Sequence, residues 1–256
     1  MSEVHGTRVA VVTGGGSGIG RGCVEQLARR GLHVVAVGRT QATLDEVSAA
    51  VVDEGGAVAA VVADCSTSAG RDTVVAAVTG IGGPVVALIH AAGADLVAAF
   101  VDTTPEQFDF LVDINVRAPF FLTQLLVPHL ADGAGVVFVG SISATRARPR
   151  HAAYATSKAA LVGLTANLAV DLAPAVRVNC VSPGATRTGM LRAFVKASAR
   201  GLEDDERERQ LMADMARMPL GRVAEPGEVA VCVHLALDAT AVTGVDVPVD
   251  VGYAAT

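Results

Sequence analysis

RVAVVTGGGSGIGRGCVEQLARRG, residues 8–31, reads as a strand, a tight turn and a helix. The run from Val9 to Val12 is short, continuous and apolar, as a strand covered on both faces should be. Gly14, Gly18 and Gly20 form a G-x-x-x-G-x-G pattern. Glycine in such a turn permits positive φ and lets an anion approach the backbone. The helix then starts without charge, and its free N–H groups can bind a diphosphate. Gly14, Gly16, Ser17, Gly18, Ile19 and Gly20 are therefore candidate nucleotide-binding residues.

The same alternation continues outward from this unit. Further strands are expected at 33–38, 57–63, 85–90, 134–140, 176–181 and 245–249, with the first at 7–13. Between them lie helix-period segments at 18–30, 40–54, 67–79, 105–130, 152–172 and 225–238. Strand–helix repetition of this kind implies right-handed crossovers and a doubly wound parallel sheet, an α/β fold. No linker or repeat divides the chain, so 1–256 reads as a single domain. The exception is 188–218, rich in charge and methionine and without a strand. Met190, Leu191 and Phe194 make a short apolar face there, and Glu203, Asp204 and Asp205 open a charged helix over 203–217. An insert after the sixth strand is placed to act as a substrate lid over the carboxyl edge of the sheet.

Composition agrees with a buried sheet. Of the 256 residues 51% are hydrophobic and only 4% aromatic, which suits alanine-lined helices packed closely on valine-rich strands. The net charge of −6 argues against a dedicated nucleic-acid binder. Cys23, Cys65, Cys180 and Cys232 form no CxxC pair, so neither a metal site nor a disulfide scaffold is suggested. Residues 73–94 lack charge, but Gly80, Gly82, Gly83 and Pro84 break the run into helix, turn and strand rather than a membrane span. The start, MSEVHGTRVAVVTGG, lacks a basic stretch leading into an apolar leader, so a soluble, cytoplasmic chain is expected.

At the end of the second strand the carboxylate that would hold an adenosine 2′-hydroxyl is missing. Gly38 and Arg39 follow Val37, and an arginine there binds a 2′-phosphate through charge-assisted contacts. The expected cofactor is NADP; NAD is the alternative if Arg39 faces solvent. Asp64, after the third strand, is placed to accept from the adenine amino group or to cap a helix, and Cys65 adjoins it. Tyr154 and Lys158 lie four apart in HAAYATSKAALVGL, one helical turn that stacks phenol and ammonium. A nearby cation favours the phenolate, so Lys158 is expected to lower the pKa of Tyr154. Ser141 ends the strand-like run from Val136 to Gly140.

These motifs together resemble the short-chain dehydrogenase/reductase family over essentially the whole chain. TGGGSGIG at 13–20 is similar to its TGxxxGxG, and Asn115 in DINVRAPF to its active-site Asn. Ser141 and the YATSK of 154–158 are similar to its catalytic Ser and YxxxK. Pro183 and Gly184, followed by Thr186 and Thr188 in SPGATRT, resemble its PG motif and nicotinamide-contacting Thr. PLGRVAEPGEVA at 219–230 and VDVG at 249–252 resemble the usual closing segments. HAAG at 90–93 departs from the usual NNAG. Ala92 and Gly93 still let the backbone approach a ribose, while the missing Asn at 91 removes a brace of the central sheet. His90 is expected to pack or hydrogen-bond rather than catalyse.

The resemblance implies a Rossmann fold and hydride transfer between NADP(H) and a carbonyl or secondary alcohol. Tyr154 would be the proton donor, Ser141 the group that orients the substrate, and Lys158 the residue on the ribose hydroxyls. The backbone at Asn115 would position a relay water, and Ser143 would assist or only bond its loop. The substrate expectation is a ketone or 3-oxoacyl thioester, the latter if Arg146, Arg148 or Arg150 turns inward beside His151. An NAD-dependent alcohol or dihydrodiol dehydrogenase is the alternative. From another class, a non-catalytic nucleotide-sensing protein would have had no need to keep Tyr154 and Lys158. Helices 105–130 and 152–172 carry Phe120, Phe121, Leu125, Leu161, Leu164 and Leu168, more apolar surface than one sheet face buries. The family pairs these helices, which implies a homodimer or homotetramer.

Overall fold

A computed structural model describes residues 6–198 and 218–255, together with positions 206, 209 and 213. The strands are β1 (Val9–Thr13), β2 (His33–Gly38), β3 (Ala57–Val62), β4 (Val85–His90), β5 (Leu130–Val139), β6 (Val176–Pro183) and β7 (Asp246–Val249). They form one sheet in the order β3-β2-β1-β4-β5-β6-β7, with every neighbouring pair parallel. Strand order therefore reverses between β1 and β4, and a crevice opens there at the carboxyl ends of the strands.

Alternation along the strands divides the apolar residues between two cores. Ala10, Val12, Val34 and Ala36 face α1 (Gly18–Arg29) and α2 (Gln41–Asp53), where Leu27, Leu44 and Val47 are fully buried. Val9, Val11, Val35 and Phe138 face the other side. There they meet α3 (Ser68–Ile81), α5 (Ala118–Leu126) and α6 (Ala152–Asp171) through Val74, Leu122 and Leu161. Two short helices, α8 (Pro226–Val229) and α9 (Val231–Leu237), complete the first face.

Several expected boundaries change. β3 is an edge strand whose outer residues are exposed, not a strand covered on both faces. β5 begins at Leu130, which pairs with Val85, so the helix expected to reach 130 stops earlier. That helix is also interrupted. It runs as α4 (Pro105–Val112), a wide π turn over Asp113–Arg117, and α5. Pro119 has no N–H to give the Asn115 carbonyl four residues back, so the α pattern cannot continue there. The expected helix over 225–238 is likewise split at Ala230. The stretch Pro105–His129 is long and apolar enough to cross a membrane by length and composition. It nonetheless lies on the sheet, with Leu111, Leu122 and Leu126 fully buried. Residues 73–94 are helix, turn and strand, with Gly82 at φ +69.

α7 (Gly189–Ser198) is the described part of the expected lid; the charged helix placed over 203–217 lies outside the described residues, isolated positions apart. Of the apolar residues expected on the outer helix faces, Phe120, Phe121 and Leu125 are 41%, 37% and 39% exposed. Leu161 instead faces the sheet at 2% exposed, and Leu164 and Leu168 pack against the core. Arg177, on β6, was not singled out by sequence. Its side chain donates to the carbonyls of Leu235, Ala236 and Ala239 at 2.5, 2.7 and 3.1 Å. A cation thereby satisfies the carbonyl end of α9.

Candidate active site

The turn after β1 is shaped by contact with the loop after β4. Gly14 has φ +69, and a Cβ there would lie 2.7 Å from the Ala92 nitrogen. Ser17 precedes α1 in extended conformation without a side-chain cap, and the first turn of α1 holds no acid. Its amide donors therefore face a cleft of about 790 Å³ at the crevice. Gly14, Gly16, Ser17, Gly18, Ile19, Gly20, Arg39, Asp64, Cys65, Ala92, Gly93 and Thr188 all line that cleft. Arg39 is exposed at its rim. Asp64 Oδ1 accepts from the Ser66 amide and hydroxyl at 2.9 and 2.7 Å. Those bonds hold its pKa below the usual carboxylate value, against burial, with a further contribution from Arg39. Thr67, rather than Asp64, caps α3.

At Ala91 and Ala92 the loop after β4 is tied to the end of β1 by two contacts. The Ala91 and Ala92 amides donate to the carbonyl and hydroxyl of Thr13 at 3.1 and 3.2 Å. His90 is buried, stacks on Phe138 at 5.2 Å, and its Nε2 meets Thr123 Oγ1 at 2.8 Å. It packs and hydrogen-bonds, as expected. Burial pushes its pKa down to about 3 from 6.5. Between those values the unfolded imidazole binds a proton that the folded one refuses, so stability falls as pH drops through that window. The limiting slope for one such group is about a tenfold change in the unfolding constant per pH unit. Replacing His90→Asn should remove this component. Urea unfolding of both proteins at stepped pH checks it; curves that stay parallel would mean His90 does not titrate this way.

Asn115 sits in the π turn, 1% exposed. Its side chain accepts from the Ala94 amide and donates to the Ala94 carbonyl and Ser157 Oγ, all at 2.9 Å. It lines neither cavity wall; it clamps the loop after β4 to α6. Gly93 lies against this clamp, where a Cβ would approach both Asn115 Oδ1 and Lys158 Nζ at 3.2 Å.

A second cavity of about 130 Å³ adjoins the cleft, and Ile19, Gly93 and Thr188 line both. Ser141, Tyr154, Lys158, Pro183, Gly184 and Thr186 line the smaller one. Ser141 Oγ also accepts from the Ser143 amide at 3.1 Å, so it caps the following turn while facing the cavity. Lys158 Nζ donates to the Val139 carbonyl at 2.9 Å and lies 5.9 Å from the Tyr154 ring centroid. The expected lowering of the phenol's pKa by Lys158 does not occur in this geometry. Burial pushes Tyr154 up to about 12; interaction with Ser141 opposes this, Asp95 adds to it and Arg148 opposes it. Burial also pushes Lys158 down to about 8. Lys158 is still largely an ammonium at neutral pH, but desolvation dominates the phenol and Lys158 is not among the groups that shift it.

The segment after β6 closes the site. The Gly184 amide donates to the Val249 carbonyl at 3.0 Å, and a Cβ at Gly184 would lie 2.8 Å from Asp250 Cα. The Thr186 hydroxyl donates to the Gly184 carbonyl at 3.2 Å. Thr188 Oγ1 accepts from the Leu191 amide at 3.3 Å, starting α7, whose Met190, Leu191 and Phe194 reach the cavity wall. One arginine of the expected cluster turns inward. Arg148 lines the cavity while its guanidinium lies 5.0 Å from the Tyr253 ring centroid. Arg146 instead bonds the Ala254 carbonyl, and Arg150 is exposed. Sequence reasoning missed Asp95 and the brace at Thr13. Asp95 lies two residues after Gly93, inside the stretch 94–99 expected to border the pocket, but it was not singled out there.

The larger cleft falls within the size of small-ligand sites, and its glycine-lined helix start matches the diphosphate of a nicotinamide dinucleotide. Residues 14–254 match the family described as "Enoyl-(Acyl carrier protein) reductase". Dehydrogenase/reductase SDR family member 4 of Homo sapiens is 34% identical over 251 residues, covering 96% of this chain and 87% of that protein. A solved actinorhodin polyketide ketoreductase variant with NADPH superposes with TM-score 0.89 at 28% identity, over 96% of this chain and 97% of that one. A short-chain dehydrogenase/reductase from Serratia marcescens gives TM-score 0.85 at 29% identity, over 96% and 97%. With sheet order, site residues and relatives in agreement, this chain belongs to the short-chain dehydrogenase/reductase family of oxidoreductases.

Proposed function

We propose that the chain is an NADP(H)-linked carbonyl reductase acting on a small-molecule ketone. The carrying observation is the buried Tyr154 hydroxyl beside Ser141 and Lys158, on a cavity that opens into a dinucleotide-sized cleft. NADPH, when bound, supplies the hydride. Gly14, Gly16, Ser17, Gly18, Ile19 and Gly20 would hold its diphosphate; Arg39 would hold the 2′-phosphate, and Asp64 and Cys65 the adenine side. Ala92, Gly93, Pro183, Gly184, Thr186 and Thr188 would enclose its other end. Ser141 orients the carbonyl oxygen, and Tyr154 gives it a proton. The Tyr154 phenol, its pKa raised by burial, carries its proton at neutral pH and can act as the donor. Lys158 would lie along the ribose, and Asn115 would keep the loop and α6 in register behind it. α7 would act as the inner wall of a lid. The exposed Phe120, Phe121 and Leu125 support pairing with further copies of the chain, as a homodimer or homotetramer.

The test is turnover of a panel of ketones, a 3-oxoacyl thioester among them, followed by cofactor absorbance with NADPH and NADH. Strong preference for NADPH is expected. Arg39 makes no hydrogen bond to the described residues, so its guanidinium is available to a phosphate. Replacing Arg39→Ala should raise the KM for NADPH by about 10–100-fold, the worth of one charged hydrogen-bonding group, and leave that for NADH within a few-fold. Oxidation of alcohols with NAD alone would replace this reading with an NAD-linked dehydrogenase.

A further inference from the structure

Two side chains of the smaller cavity take no part in the proton-transfer set. Asp95, in the loop after β4, accepts from the Leu96 amide at 2.7 Å through Oδ1. His151, three residues before Tyr154, is 5% exposed. Its Nδ1 lies 2.9 Å from the Pro149 carbonyl oxygen. A carbonyl only accepts, so Nδ1 carries the proton and donates. In the neutral ring Nε2 is then an acceptor, and it lies 3.9 Å from Asp95 Oδ1. Two acceptors thus stand side by side on the cavity wall, with no hydrogen-bond donor from the described residues at Nε2. Packing holds the imidazole in this orientation: its ring centroid is 6.0 Å from that of Tyr154, edge-on, and 5.2 Å from that of Phe194.

We propose that Asp95 and His151 form a hydroxyl-binding pair, so that the substrate is a small ketone bearing hydroxyl groups beside the reacting carbon. One substrate hydroxyl donates to the Asp95 carboxylate and a neighbouring one to His151 Nε2. A simple ketone leaves both acceptors without a donor, and such sites discriminate strongly against analogues lacking the hydroxyl. Arg148, on the same cavity wall, is drawn to the Tyr253 ring at 5.0 Å, and a carboxylate-bearing ketone would meet the charge of Asp95 as well as that of Arg148. The cavity of about 130 Å³ suits a substrate of few carbons. This inference rests on the carbonyl lying beside Tyr154.

Dihydroxyacetone, hydroxyacetone and acetone form a series of falling hydroxyl content. With NADPH, kcat/KM should fall by about 10²-fold or more across the series, within the range such recognition supplies. Asp95→Asn and His151→Phe should each collapse that ratio by about tenfold, mainly through KM. Equal use of the three ketones would overturn the proposal, and so would variants that slow all three in proportion. Glycerol and propan-2-ol binding, measured by NMR with NADP present, separates this idea from the proposed reaction. If no ketone is reduced, glycerol preference lost in Asp95→Asn still supports the pair while the reductase reading fails. Glycerol and propan-2-ol bound alike would overturn the pair.

Discussion

Tyr154→Phe should lower kcat for ketone reduction by about 10²–10⁴-fold, the usual worth of a positioned proton donor. The substitution keeps the ring, which is 8% exposed and packed edge-on against His151, and removes only the hydroxyl. NADPH affinity, measured by fluorescence titration, should stay within a few-fold because the diphosphate-binding turn and Arg39 are untouched. Loss of binding together with turnover would instead mean a damaged site. If reduction persists within tenfold of the parent, the proton comes from another group, and the proposed role of Tyr154 fails. The Ser141 hydroxyl accepts from the Ser143 amide and keeps its own proton to orient the carbonyl oxygen, so a Tyr154→Phe, Ser141→Ala double variant shows whether it supplies any residual proton transfer.

The second large effect concerns stability. Arg177→Met should destabilise the fold by about 3–5 kcal/mol, since each buried acceptor left unsatisfied costs roughly 1–3 kcal/mol. Arg177 is 9% exposed, and the Leu235 and Ala236 carbonyls near the end of α9 depend on it, while that of Ala239 also accepts from the Val242 amide. Methionine fills similar space without a donor, which separates the hydrogen bonds from the packing. Urea unfolding should show a lower midpoint at unchanged slope. Arg177→Lys should lose less, because one ammonium reaches some of the same carbonyls. A loss below about 1 kcal/mol for Arg177→Met would mean that water or backbone adjustment satisfies α9 equally well.

Much of the fold was legible because its signals are local. The glycine turn after β1 must admit positive φ at Gly14 and Gly18, and valine-rich runs covered on both faces mark most of the strands. The π turn at 113–117 was less visible. Its proline can be read from the sequence, but the inward Asn115 side chain depends on Ala94 and Ser157, 21 and 42 residues away. The arginine cluster posed the same problem: three similar residues stand two apart, and their distinct contacts, Arg148 with Tyr253 and Arg146 with Ala254, lie far along the chain.

By itself the sequence determined the α/β alternation, the nucleotide-type turn, and the order in which Ser141, Tyr154 and Lys158 enter the site. Each follows from residue type, spacing or backbone freedom within a short stretch. Tertiary structure decided the environments. It placed His90 on Thr123, set Asp95 beside His151, and buried Tyr154 deeply enough that desolvation raises the pKa that a neighbouring ammonium was expected to lower. Burial and long-range pairing depend on which surfaces the fold brings together, and desolvation then outweighs the charge of a neighbour one helical turn away.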